Sequence, residues 1–343
     1  MRQKVLSRAE LEQILRAIPQ SRVGVLGDFC LDAYWYADMT RSSLSRETPH
    51  FPVPVVREAF SPGGAGNVMM NLAALNLSGV VPICVLGRDW RGQVLGGLME
   101  QAGASMDYVL FDPERSTPGY CKPILQGYSE AAQEGARIDF VNTSPLGEAA
   151  EDWVLAALDK AIREMDVLAV CDQLDHGIIS KRVRGRLEDL GDKGRLIVVD
   201  SRDHLAEYRQ VMVKPNELEA LVQAEKNPPA TPRGLEQYDS LIRKLYAQTR
   251  KPIVITLGER GALYFDGEGL THAPSKRVPP PIDIVGAGDS FLAAFCAALA
   301  AGTEGGSAIA FANLASGVTI QKLNTTGTAS PDEILDWHAK EIA

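Results

Sequence analysis

Near its C-terminal end the chain reads DIVGAGDS (283–290), after three prolines and just before the apolar stretch FLAAFCAALAA. Glycines at Gly286 and Gly288 let the backbone turn tightly, so that the N–H groups around Gly286, Ala287 and Gly288 converge at the start of the helix that the apolar stretch would form. Such a turn is an anion hole, because unpaired amides and the positive end of the helix dipole favour a phosphoryl group. A carboxylate at Asp289 would repel that group unless it accepts a proton from an attacking hydroxyl, as a catalytic aspartate does in phosphoryl transfer. Taken alone, Asp289 serves equally well as a helix cap.

Other stretches weigh on that choice. GDFCLD (27–32) puts Asp28 and Asp32 just past a buried strand, where open α/β sheets bind their ligands. Carboxylates there suit a polyol, since each accepts from two hydroxyls; turn formation is the competing reading, stronger for Asp28 than for Asp32. In SPGGAGNVMMNLAAL (61–75), Gly63 and Gly64 allow close backbone approach and Asn67, on the first helical turn, can both donate and accept. KPNELEA (214–220) presents Asn216 and Glu219 three residues apart, a pair able to hold hydrated Mg2+ by its waters or to form a helix capping box. TLGERGALYF (256–265) is a strand, a turn with two glycines and a second strand, across which a nucleotide could lie, although most such turns are only hairpins. A Walker P-loop is absent, and the Rossmann fingerprint fails because Phe291 stands at the third glycine position.

The elements that must position these residues are written as alternating periods. Short apolar runs at RVGVLG (22–27), VVPICVL (80–86), DVLAV (166–170), RLIVVD (195–200) and PIVITLG (252–258) predict buried strands. Helix-period stretches at 65–75, 151–165 and 240–250 lie between them. The alternation predicts a doubly wound, largely parallel α/β sheet. Two segments, 33–60 and 108–142, lack a helix pattern and predict strands that leave the sheet as a small β lid over one edge of a single domain; two unrelated surface loops are the other reading. The patches PPP (279–281) and NPPATP (227–232) read as turns.

Composition bounds the partners. A net charge of −9 argues against broad attraction to nucleic acid or anionic membranes, so an anionic ligand needs a local site. The five scattered cysteines form no CxxC pair and read as reduced, buried thiols of a cytoplasmic protein. No stretch approaches the ~18–20 apolar residues that span a bilayer, and the N-terminus lacks a signal-peptide core.

Taken in order, the GD…LD start, the GGxGN turn, the NExE-like segment, TLGxxG and GAGD resemble the PfkB (ribokinase-like) family of carbohydrate kinases, over roughly 22–331. The resemblance implies a ribokinase-like fold and ATP-dependent phosphorylation of a sugar hydroxyl, with Asp289 as base and Gly286, Ala287 and Gly288 as anion hole. It implies sugar contacts from Asp32, Gly64 and Asn67, a phosphate and Mg2+ position at Asn216 and Glu219, an ATP site lined by Thr256, Gly258 and Gly261, and Asn313 near the adenine. Many relatives bind a monovalent cation such as K+ beside the anion hole; Asp283 and NTTGTAS (324–330) fall at that loop, with Ile284 departing from the usual pattern. Lid strands in this family often pair between subunits, which implies a homodimer.

Within the family the chain is most similar to the branch that phosphorylates heptose 7-phosphate, through GDFCLDAYWYADMTR (27–41), FPVPVV (51–56), Lys122 and ARIDF (136–140). Lys122, Arg41 and Arg137 would give the lid cationic contacts for an acceptor that already bears a phosphate. The chain departs from that branch at CDQLDHG (171–177), where Asp172 keeps the aspartate but the lysine of the usual lysine-glycine pair is lacking, and at Asp200-Ser201-Arg202, where DPK is common. Bifunctional relatives continue into a nucleotidyltransferase domain, so the expectation here is the kinase step alone. A PfkB kinase for an unphosphorylated sugar or nucleoside, and a catalytically silent sugar-binding protein, are the competing functions.

Overall fold

The computed structural model describes residues 1–129, 131–224, 234–323 and 326–340; the predicted turn at 227–232 and the first two residues of 324–330 lie outside them. Ten strands build the large sheet: β1 (Arg2–Gln3), β2 (Arg22–Gly27), β5 (Gly79–Gly87), β6 (Val109–Asp112), β10 (Val167–Asp172), β11 (Ile197–Ser201), β12 (Met212–Val213), β13 (Ile253–Thr256), β14 (Ala262–Phe265) and β15 (Leu270–Ala273). Their spatial order is β1-β15-β14-β13-β12-β11-β10-β2-β5-β6, and β14 alone runs antiparallel to its neighbours. The five remaining described strands, β3 (Phe29–Asp38), β4 (Val55–Gly64), β7 (Gly119–Gln126), β8 (Ala132–Glu134) and β9 (Ile138–Phe140), form the small second sheet.

Central strands such as β10, VLAVCD, are buried along their whole length because helices cover both faces of the sheet. On one face pack α1 (Arg8–Ala17), α2 (Ala65–Ala74), α3 (Trp90–Gln101), α8 (Ala287–Ala300), α9 (Gly305–Thr319) and α10 (Pro331–Ala339). The other face takes α4 (Glu148–Ala161), α5 (Lys181–Asp192), α6 (Glu217–Ala224) and α7 (Tyr238–Thr249). This is the expected doubly wound architecture, and the five predicted strands of the large sheet and the predicted helices each overlap an observed one. Apolar residues surround α8 on all sides because α2 and α9 flank it.

The small sheet differs from expectation at its edges. Residues 109–112 pair with β5 and belong to the large sheet, while 39–54 carry only a short 3-10 turn at Met39–Arg41. β3 begins two residues after β2 ends, so the chain leaves the carboxyl edge of the large sheet and enters the small one directly. β4 in turn runs straight into α2 through Gly64. Asp32 and Asn67 therefore reach the same region from opposite ends of one hairpin.

Candidate active site

Asp289 sits on the first turn of α8, and Asn67 on the first turn of α2. The Asn67 Nδ2 donates to the Asp289 Oδ2 at 2.9 Å, and Asn71 in turn donates to the Asn67 Oδ1 at 3.1 Å, which fixes the orientation of the Asn67 amide. The helix N-cap is Gly286, not Asp289, so the capping alternative for this carboxylate does not hold. Gly286 has φ +77°, and a Cβ there would stand 2.5 Å from the Asn67 Nδ2. The glycine is thus required twice, for the left-handed turn and for the approach of Asn67. Gly288 is helical and a Cβ would meet nothing; its missing side chain keeps the wall of the adjoining cavity open.

Burial pushes the Asp289 carboxyl up to about 6, with Asp200 and Asp32 adding to the rise and the bond from Asn67 and the charge of Lys214 opposing it. Lys214, at the end of β12, is buried and bonded at 2.9 Å to Asp200 at the end of the neighbouring β11. Burial pulls the Lys214 ammonium down, but Asp200 outweighs it and holds it above the usual lysine range. Neither residue was singled out from the sequence as part of the site, since a charge after a strand ordinarily marks a surface turn. The signal was present as two charges at the carboxyl ends of adjacent parallel strands.

A cavity of about 1010 Å3 opens beside the start of α8. Ala287 and Gly288 form part of its wall, and Asn216, Thr256, Gly258, Gly261 and Asn313 line the rest. Five of the sequence-predicted nucleotide residues therefore converge, although they come from separate parts of the chain; Glu219 is not among the residues that line the cavity. Phe291, Lys276, Ser316 and Ile320 also line it and were missed, because nothing in an apolar helix or a loop lysine marks them in advance. Asn313 donates to the Ala273 carbonyl at 2.8 Å, which anchors its amide at the cavity wall.

Asn216 and Glu219 realise the capping box: the Asn216 N–H donates to the Glu219 Oε2 at 2.8 Å, and the Glu219 N–H to the Asn216 Oδ1 at 2.9 Å. Burial raises the Glu219 carboxyl above its usual range. Its Oε1 has no hydrogen-bond partner among the described residues. Asp283 accepts from the Val285 N–H at 3.0 Å and holds the turn before Gly286.

On the acceptor side, Asp32 lies 3.1 Å from the Lys122 ammonium, and a Cβ on Gly63 would stand 2.7 Å from the Asp32 Oδ2. Gly64 is the N-cap of α2. Two predicted acceptor contacts prove to be structural. The Asp28 carboxylate is consumed by three backbone N–H groups, those of Gln173, Leu174 and Ile178, and so organises the 173–178 loop instead of facing a polyol. Asp172 accepts from the Ser201 hydroxyl and the Tyr208 hydroxyl in a buried cluster with Arg184 and His204. Two predicted lid cations are paired: Arg41 is exposed and bonded to Asp38, and Arg137 is bonded to Asp139 and stacked over Tyr120.

Known proteins resemble the chain over most of its length. A family model described as "pfkB family carbohydrate kinase" matches residues 31–333. The bifunctional protein HldE of Geotalea uraniireducens is 32% identical over 336 residues, covering 96% of this chain and 65% of its own length. HldE of Hahella chejuensis is 33% identical over 328 residues, covering 91% of this chain and 62% of its own length. The chain thus spans less than two thirds of these relatives. Among solved structures, Arabidopsis thaliana ribokinase complexed with ribose and ATP superposes with TM-score 0.68 at 18% identity, over 94% of this chain and 100% of its own. Phosphofructokinase-2 from Escherichia coli gives TM-score 0.70 at 20% identity, over 93% and 98%.

Proposed function

Because the chain belongs to the pfkB family of carbohydrate kinases, we propose that it transfers the γ-phosphoryl group of ATP to a hydroxyl of a sugar phosphate, heptose 7-phosphate being the best candidate. The observation that carries the transfer chemistry is the placement of Asp289, a carboxylate lifted to about 6 on the first turn of the helix whose neighbouring residues line a nucleotide-sized cavity. Near neutral pH it is ionised yet close enough to its pKa to be an effective base. The acceptor hydroxyl gives its proton to Asp289, its oxygen forms the new bond to the γ-phosphorus, and the bond to the ADP oxygen breaks with its electron pair staying on ADP. Of the amides at the start of α8, that of Ala287 already donates to the Ile284 carbonyl at 3.2 Å, so the Gly288 N–H is left to face the charge carried by the moving group. Asn67 keeps Asp289 oriented throughout.

Glu219, with the water-holding geometry left by its capping box, fits Mg2+ bound together with the nucleotide. When bound, Mg2+ would neutralise charge on the phosphate oxygens. Asp283 is the residue proposed to order a monovalent-cation loop, a reading supported by the Escherichia coli phosphofructokinase-2 structure described in complex with potassium.

The heptose 7-phosphate assignment is supported by the HldE relatives at about 30% identity over most of the chain. A specific observation favours a second reading, an unphosphorylated acceptor: Lys122, Arg41 and Arg137, the cations expected to meet the phosphate, are each paired with a carboxylate. A second copy docked through the small sheet is supported by exposed Phe51, Val53, Val55 and Val56. Among the described residues, no helix is long and apolar enough to cross a membrane. The deciding experiment measures ADP release with paired sugars and sugar phosphates, with and without Mg2+ and K+. Turnover of heptose 7-phosphate well above all other acceptors is expected; activity only on unphosphorylated sugars selects the second reading.

A further inference from the structure

Lys122 touches the acceptor side in a way that neither its charge nor its position in the chain announces. On β7 it lies opposite Tyr34 of β3, with Asp32 two residues back along the same strand and on the same face. Its ammonium reaches back to the Asp32 Oδ1 at 3.1 Å and donates to the Tyr34 hydroxyl at 3.3 Å. Both charged side chains are largely covered, 14% exposed for Lys122 and 9% for Asp32. The other Asp32 oxygen lies over Gly63, at the end of β4 that leads into α2 and Asn67. One carboxylate oxygen is therefore pinned, and the other has no hydrogen-bond partner among the described residues.

We propose that Lys122 is a positioning residue: it clamps Asp32 by Oδ1 so that Oδ2 accepts from an acceptor hydroxyl beside Gly63, and it does not itself read an acceptor phosphate. Tyr34 completes the clamp by accepting from the ammonium through its hydroxyl at 3.3 Å. A carboxylate with one oxygen bound to a fixed cation has lost most of its torsional freedom before the sugar arrives, so less ordering remains at binding. Burial would pull the Lys122 ammonium down, but Asp32 and Tyr34 outweigh it and keep it charged. The inference rests on the proposed acceptor pocket but not on whether that acceptor carries a phosphate.

The test compares binding and turnover of fructose 6-phosphate with fructose, and of heptose 7-phosphate with heptose, in wild type, K122M, K122R, D32N and the K122M/D32N double variant. A positioning role predicts that K122M weakens both members of a pair by the same factor, about tenfold or more. ATP affinity should stay within about twofold, which also reports an intact fold. K122R should recover part of the loss, and K122M should add little in the D32N background. Loss confined to the phosphorylated member, or full additivity with D32N, would overturn the proposal. Should K122M fail to fold, K122R alone carries the comparison between pair members. Binding without turnover by the wild type would sink the kinase reading, while the binding cycle would still decide the role of Lys122.

Discussion

Asn67 and Asp289, 222 residues apart in the chain, meet through a 2.9 Å hydrogen bond from amide to carboxylate. The bond favours the ionised form of a group that burial pushes up to about 6. Two helix starts, α2 and α8, are thereby tied at the point where a hydroxyl and a phosphoryl group would meet.

Replacing Asp289 by Asn should preserve ligand binding and lower turnover by at least about 10²-fold, the lower end expected for a missing general base. Near-normal ADP release from the variant would remove Asp289 from the mechanism.

The pH profile follows from the same group. The rate should rise with pH through about 6 as Asp289 ionises, and removing the Asn67 donor in Asn67→Ala should move that acid limb to higher pH. A limb unmoved in the variant would show that the hydrogen bond does not govern the titration.

Stability should vary with pH in the opposite sense to activity. Folded Asp289 binds its proton more tightly than an unfolded carboxyl titrating near 3.8, so its contribution to stability falls as pH rises from about 4 to about 6. Asp289→Asn should therefore be more stable than wild type at pH 7.5, by a margin that shrinks towards pH 4. Denaturant melts at the two pH values check this.

Asp28→Ala should behave as a folding defect. It strands three backbone N–H groups of the 173–178 loop, at about 1–3 kcal/mol for each that stays buried and unpaired. A variant of unchanged stability with only a raised acceptor KM would restore Asp28 to the binding site.

Glu219→Gln keeps a capping-box partner for Asn216 and should leave the fold intact, while raising the Mg2+ concentration needed for half-maximal activity. An unchanged Mg2+ requirement would detach Glu219 from the metal.

The chain order of elements was legible in the sequence because strand and helix periods are local. RVGVLG, VLAV and IVVD had to be buried strands wherever they went, and the apolar helix after GAGD had to lie in the core. The GAGD turn also announced a left-handed glycine at a helix start with a carboxylate on its first turn, since glycine and aspartate types carry that geometry with them. What local pattern could not separate was one carboxylate from another. Asp28 and Asp32 stand four residues apart after the same strand, yet one is consumed by the 173–178 loop and the other opens over Gly63. That difference arises from contacts with segments 145 to 150 residues away. Lys122 shows the same limit, because a lysine on a lid strand reads as a phosphate contact until a carboxylate on the neighbouring strand is seen to hold it. The sequence by itself determined the residue types at the site and the periods of the elements that carry them. Only the tertiary structure decided which charges are paired and with whom, because pairing depends on distances across strands and helices that the chain visits far apart in order.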